Sequence, residues 1–139
     1  MSSPAQPLNV VAAVIQHESR ILVCRREPGR AQGGKWEFPG GKIEHGESPE
    51  QALIREVKEE LDVEIQVLEH LTTDDTPSAG QIIRLMCFRA HLISDRPTRS
   101  SDHDELRWVR PSQLDALDWA PADVHAVAIL ASTAISRNE

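Results

Sequence analysis

Glu56, Glu59 and Glu60 stand at i, i+3 and i+4 of the segment GGKIEHGESPEQALIREVKEELDV, residues 40–63. On a helical wheel at about 100° per residue with Glu56 at zero, Glu59 falls near −60° and Glu60 near +40°. The three carboxylates therefore share one stripe. Leu53, Ile54, Val57 and Leu61 fill a neighbouring arc of about 60–160°, which predicts the buried face. Arg55 and Lys58 lie on the remaining side. Like charges at this spacing repel by a few tenths of a kcal/mol per pair, so the helix gains nothing from them. A hard divalent cation does gain: Mg²⁺ takes carboxylate oxygens and keeps several waters beside a phosphate-bearing substrate. Gly40 and Gly41 let the backbone come close to a metal or a phosphate. Glu44 and Glu47 bring two more carboxylates to the same helix entrance. The competing reading is a solvated acidic face, with an Arg55–Glu59 pair at i,i+4 keeping the helix soluble.

The elements that position this stripe follow from pattern. Residues 8–16 are rich in Val, Ala and Ile and predict a strand, with a turn at His17-Glu18-Ser19 and a hairpin partner over 20–25. Residues 28–34 predict a loop and 35–38 a short extended piece closed by Pro39-Gly40-Gly41. Ser48 is a good N-cap, Pro49 suits the first helical position, and Gln51 completes a capping box, so a helix opens there and runs to about Leu61. Residues 63–71 and 81–93 predict two strands separated by a polar loop over 72–80. Residues 94–104 predict a loop and 105–109 a last short strand. A second helix is predicted over 121–135, with Val124, Val127, Ala128, Ala131 and Ile135 at helical spacing. The order predicts an α/β (α+β) fold: a mixed sheet covered by helices on both faces.

A chain of 139 residues with 40% hydrophobic and 27% charged residues predicts one globular domain over 1–139, with residues 1–7 flexible. No apolar run is long enough to span a bilayer, and the first seven residues lack the basic and apolar regions of a secretory signal. The expected location is cytoplasmic, without a membrane partner. A net charge of −7 repels a nucleic acid backbone, so no polymer partner is expected. It leaves room for a small anionic substrate attracted through a divalent metal. Cys24 and Cys87 lie in apolar runs with no ligand spacing and are expected to be buried, reduced thiols.

The segment resembles the signature of the Nudix hydrolases: Gly, five residues, Glu, seven residues, then Arg-Glu-aliphatic-X-Glu-Glu-X-Gly-aliphatic. Gly41, Glu47, Arg55, Glu56, Val57, Glu59, Glu60 and Val63 match in register. Asp62 stands where the family usually has Gly, which puts the helix C-cap rather than the metal site at issue. Trp36-Glu37-Phe38-Pro39-Gly40-Gly41-Lys42-Ile43-Glu44, Asp102-His103 ahead of Trp108, and Ala120-Pro121-Ala122-Asp123 resemble the MutT-type branch that includes CTP pyrophosphohydrolases.

That resemblance implies the Nudix α-β-α sandwich. It also implies hydrolysis of a nucleoside triphosphate to the monophosphate and pyrophosphate, by attack at the β-phosphorus. The implied metal ligands are Glu56, Glu59, Glu60 and the Gly40 carbonyl, for Mg²⁺ with Mn²⁺ as an alternative. Arg55 would orient the carboxylates, and the general base is one of Glu56, Glu47, Glu44 and Asp102. Arg26 would reach the phosphates, and Glu37, Phe38 and Pro39 would flank the substrate. Trp36 is assigned to the core. Asp123 would read the base edge, against a competing role as a helix cap. The expected assembly is a monomer or weak homodimer. The leading function is sanitising the nucleotide pool, on 8-oxo-dGTP or cytidine triphosphates. The alternatives are hydrolysis of dinucleoside polyphosphates or nucleotide sugars, and a catalytically inactive domain that senses a nucleotide or recognises a lesion.

Overall fold

The structure, a computed structural model, describes residues 6–136. Its strands are β1 (Leu8–His17), β2 (Arg20–Arg26), β3 (Trp36–Glu37), β4 (Gly40–Lys42), β5 (Ile65–Ser78), β6 (Gln81–Leu92) and β7 (His103–Val109). The helices are α1 (Pro49–Leu61) and α2 (Val124–Ser136), the latter preceded by 3₁₀ turns at Pro111–Ala116 and Pro121–Asp123. The sheet runs β3-β2-β1-β6-β5, with β4 paired to β1 and β7 to β2. The β1–β6 pair is parallel and the other pairs are antiparallel, so the sheet is mixed as predicted. No helix among the described residues is long and apolar enough to cross a membrane.

The near-continuous apolar run of β1 is explained by burial on both faces. Val11, Ala13 and Ile15 join α1 residues Ala52, Leu53, Val57 and Leu61 in one core. Ala12 and Val14 point the other way, to Ala126, Val127 and Leu130 of α2. The result is an α-β-α sandwich. Cys24 and Cys87 are buried in these two different cores and unpaired.

Helix α1 begins as its sequence dictates. The Ser48 hydroxyl accepts from Gln51 N, the Gln51 side chain accepts from Ser48 N, and Pro49 occupies the first turn. Ser48→Ala is expected to cost about 1 kcal/mol, read as a lowered Tm in thermal unfolding with activity unchanged. At the other end Asp62 takes the left-handed conformation (φ 55°, ψ 42°) that the family's usual Gly would supply. Its N–H reaches Lys58 O and its carboxylate pairs with Lys58 Nζ at 3.0 Å.

The helix faces differ in part from the periodicity. Ile54 is 44% exposed, because the buried face of α1 centres on Leu53, Val57 and Leu61 and turns Ile54 to solvent. On α2, Ala126, Val127, Leu130 and Ala131 are buried, whereas Val124 and Ala128 are exposed. The tighter 3₁₀ turn at Pro121–Asp123 rotates the start of the helix relative to a continuous α-helix from residue 121. The Ile135 side chain and residues 1–5 of the N-terminal segment lie outside the described residues.

The polar stretch 72–78 is strand, not loop: β5 and β6 pair from Ile65↔Leu92 to Ser78↔Gln81. The hairpin closes through Ala79 (φ 50°) and Gly80 (φ 77°), both with the positive φ of a two-residue turn matched to strand twist. Strand β7 begins at His103, two residues before the predicted start.

Candidate active site

Strand β4 lies between β1 and α1 and carries the glycines. Gly40 pairs with Ala12 and Gly41 with Val11. A Cβ on Gly40 would run into the Val11 carbonyl and stand 2.8 Å from Ala12 Cα, while one on Gly41 would overlap the Glu56 carboxyl. These glycines are required by close packing: one brings the backbone against β1, the other leaves space for a carboxylate.

Arg55 organises the acids around it. It holds Glu47 with two bonds, Nε to Oε2 at 2.7 Å and Nη2 to Oε1 at 2.9 Å. Nη1 reaches Glu56 Oε1 at 2.8 Å and Glu59 Oε2 at 3.3 Å, and Nη2 also reaches the Lys42 carbonyl at 3.0 Å. Arg55 therefore does far more than an i,i+4 surface pair. The bonds from Arg55 and the N–H of Glu44 hold the Glu47 carboxyl below the usual range.

A cavity of about 620 Å³ opens beside this network. One wall is acidic, with Glu37, Glu44, Glu56, Glu60 and Asp102, and Arg26 and Lys42 face the same space. Glu60 is 8% exposed and accepts from Gly40 N at 3.3 Å. Its pKa is pushed up to about 9, first by burial, then by the hydrogen bond it shares with Asp102, and then by the charges of Asp102, Glu37 and Glu56. Val10, Ile83, Leu85, Phe38 and Pro121 give the same cavity an apolar lining, with Asp123 among its lining residues. Asp123 is 4% exposed. Its Oδ2 accepts from Phe38 N at 3.0 Å, 85 residues away in sequence, so its side chain is not capping its own helix. Burial and the Glu37 charge push its pKa up to about 8, against the opposing Phe38 bond and Arg26.

The structure thus gathers Arg26, Glu37, Phe38, Gly40, Glu56, Glu60, Asp102 and Asp123 around one cavity. Glu47 and Arg55 stand behind Glu56 rather than in the wall. The Glu59 side chain is 60% exposed and turned to Arg55. Pro39 is fully buried and offers its carbonyl to Ala13 N at 2.8 Å, so it braces β1 and does not line the cavity. Phe38 also packs on Trp119 at a centroid distance of 4.8 Å, and Trp36 is core, as assigned. Arg25 turns away from the cavity to Asp104 at 2.8 Å.

Two contributions escaped sequence reasoning. The β5–β6 hairpin supplies Thr76, Pro77 and Ile83 to the cavity, hidden by reading 72–80 as a loop. Ala31 and Gln32 of the 28–34 loop line it too. His103, which belongs with Asp102 to the MutT-type resemblance, bonds Glu37 at 2.8 Å.

Among the described residues no three His, Cys, Asp or Glu side chains are already grouped as cation ligands. Glu60 and Asp102 nevertheless share a hydrogen bond in a wall that also holds Glu56, and the raised Glu60 pKa keeps a proton there. An all-oxygen cluster that must hold a proton to relieve its own charge fits a hard divalent cation in that proton's place.

The model of the NUDIX domain matches residues 5–128. The chain is similar to the CTP pyrophosphohydrolase of Escherichia coli K12, at 37% identity over 118 residues, covering 84% of this chain and 86% of that one. It is similar to the 8-oxo-dGTP diphosphatase of Haemophilus influenzae, at 30% identity over 121 residues, covering 86% and 88%. Its fold is similar to the crystal structure of a MutT protein from Methanosarcina mazei Go1, with a TM-score of 0.78 and 26% identity over 90% of this chain and 93% of that one.

Proposed function

The chain belongs to the Nudix family of hydrolases, and from that premise we propose that it hydrolyses nucleoside triphosphates to the monophosphate and pyrophosphate with Mg²⁺. The observation that carries this reading is the single cavity joining an acidic wall with Arg26 to an apolar pocket holding Asp123. A polyphosphate fits the first and a base the second. The similarity to proteins named CTP pyrophosphohydrolase and 8-oxo-dGTP diphosphatase supports a nucleoside triphosphate substrate.

In this reading Glu56, Glu60 and the Gly40 carbonyl would hold the cation, with Glu59, which lies against Arg55 at 3.3 Å, as a further ligand. A bound divalent cation supplies positive charge against the phosphates and acidifies a coordinated water. Arg55 fixes the direction of Glu56 while holding Glu47 in a two-bond pair. That pair withdraws Glu47 from proton transfer and leaves Glu44, Glu56 and Asp102 as acceptors of the water proton. Arg26 contacts a phosphate oxygen. Catalysis is then mostly positioning and charge neutralisation, as attack on phosphorus requires. Asp123, protonated at neutral pH, keeps Phe38 N–H on one oxygen and offers a proton from the other to the base.

The test is a panel of canonical and oxidised nucleoside triphosphates, dinucleoside polyphosphates and nucleotide sugars with Mg²⁺, with products separated and initial rates compared. The reading predicts the largest kcat/KM for a triphosphate, with monophosphate and pyrophosphate as products. A higher kcat/KM for a nucleotide sugar or dinucleoside polyphosphate, or no turnover of any of them, contradicts it.

A further inference from the structure

We propose that His103 is a positioning residue that locks the Asp102 loop and the Arg26 arm into one rigid unit through Glu37. The inference rests on the proposed reading, in that Asp102 serves the chemistry and Arg26 the phosphates. The His103 side chain is wholly buried behind Glu37 and does not itself line the cavity. A buried imidazole needs partners for both nitrogens, and it has them. Nδ1 lies 2.7 Å from Ser100 Oγ, and Nε2 lies 2.8 Å from Glu37 Oε2. Ser100 Oγ also accepts from Asp102 N at 3.2 Å. The serine proton can therefore go to Nδ1, which leaves Nε2 as the N–H that donates to Glu37. The neutral ring is then satisfied on both sides.

Glu37 is held from the opposite direction. Arg26 Nη1 reaches its two carboxylate oxygens at 3.2 and 3.1 Å. Arg26 Nε is committed to the Ala31 carbonyl at 2.7 Å, so Nη2 is the nitrogen left for substrate. An arginine–carboxylate pair at the edge of an open cavity has little rigidity by itself. A carboxylate gripped by an imidazole on one side and a guanidinium on the other has one orientation, and it fixes the guanidinium with it. The backbone supports this link: His103 is the register partner of Arg26, at a bulge between Arg25 and Arg26. The extra residue is Asp104 on β7, since Arg25 pairs with Glu105 and Arg26 with His103, and such a bulge re-aims the bulged strand and brings His103 opposite Arg26. The chain Asp102–Ser100–His103–Glu37–Arg26 thus joins the acid side of the site to its phosphate side.

His103→Asn and His103→Gln separate the two arms. The asparagine amide takes the place of Nδ1 and keeps Ser100; the glutamine amide takes the place of Nε2 and keeps Glu37. His103→Asn is expected to raise KM about tenfold with kcat nearly unchanged, because Arg26 is loosened. His103→Gln is expected to lower kcat about tenfold with KM nearly unchanged, because the Asp102 loop is loosened. Ser100→Ala, which leaves the ring and its Glu37 bond in place, should reproduce the His103→Gln pattern. Equal losses in kcat and KM for both histidine variants, or no change in either, overturns the proposal. If the histidine variants do not fold, Ser100→Ala decides: a fall in kcat alone supports the link, and any other result overturns it. Wild-type protein that turns over no nucleotide defeats the functional reading but not this one. Calorimetric binding of Mg²⁺-pyrophosphate then discriminates: weakening in His103→Asn but not in His103→Gln supports it, and equal binding overturns it.

Discussion

Glu56→Gln is expected to lower kcat on the order of a thousandfold with the fold intact, since the lost charge stabilisation is several kcal/mol and each 1.36 kcal/mol is tenfold. The Glu56 side chain lines the cavity and is aimed by the 2.8 Å bond from Arg55. Gly41→Ala tests the same carboxylate without removing it. The new Cβ would overlap the Glu56 carboxyl, the far end of a flexible side chain that can move away at small cost to stability. Folding should survive, while kcat falls by about a hundredfold through misplacement. Gly40→Ala meets backbone instead, the Val11 carbonyl in the central strand, and should lower Tm steeply. Steady-state kinetics beside thermal unfolding separate the cases. A Gly41→Ala enzyme with wild-type kcat would show that the Glu56 position is not used.

Asp123 carries the second large effect. Its pKa of about 8 makes it a hydrogen-bond donor at neutral pH, and asparagine reproduces that donor with the same shape. Asp123→Asn should therefore keep the base preference at pH 7 and hold it at pH 9, where the wild-type carboxyl ionises and loses its donor. Asp123→Ala should cost roughly ten- to a hundredfold in kcat/KM for the preferred base, the cost of a buried partner left unpaired. Stability gives an independent reading. The folded pKa is raised above the ordinary carboxyl value of 3.8, so the folded protein holds a proton that the unfolded chain releases. The contribution is whole below pH 4, declines as pH rises toward 8, and levels off above. Chemical denaturation across that window should show a shallower decline in Asp123→Asn than in wild type, the Glu60 proton remaining in both. Base ranking unchanged in both variants at every pH would confine Asp123 to holding the Phe38 N–H.

Local determinants were legible in the sequence; determinants that cross the fold were not. Ser48, Pro49 and Gln51 act within one turn of each other, so the start of α1 could be read from residue types alone. The Val, Ala and Ile content of residues 8–16 marked β1 as a strand, and its two faces fill two different cores. The 72–78 strand defeated the same rule. It is an edge strand whose polar side chains find their support on β6, as in the Asp75–Arg84 pair at 2.8 Å, so no apolar alternation marks it. Ile54 and Val124 sit at the margin of their helical arcs, where a wheel assigns a sector but not its edge. In the site, the glutamate stripe was visible because α1 holds it. The Glu37–His103 and Phe38–Asp123 bonds span 66 and 85 residues and exist only once the sheet is assembled. Arg55 shows both: its signature position was legible, but its two-bond grip on Glu47, eight residues earlier, required the loop before α1 to fold back.

Hydrolysis of the best triphosphate in ¹⁸O-labelled water, followed by mass spectrometry of both products, tests the central claim most directly. The MutT-type resemblance of residues 36–44, 102–103 and 120–123 implies attack of water at the β-phosphorus. The predicted result is label in pyrophosphate, an unlabelled nucleoside monophosphate, and no turnover once a chelator has removed divalent cations. Label in the monophosphate, or undiminished turnover in protein shown to be free of metal, would contradict it.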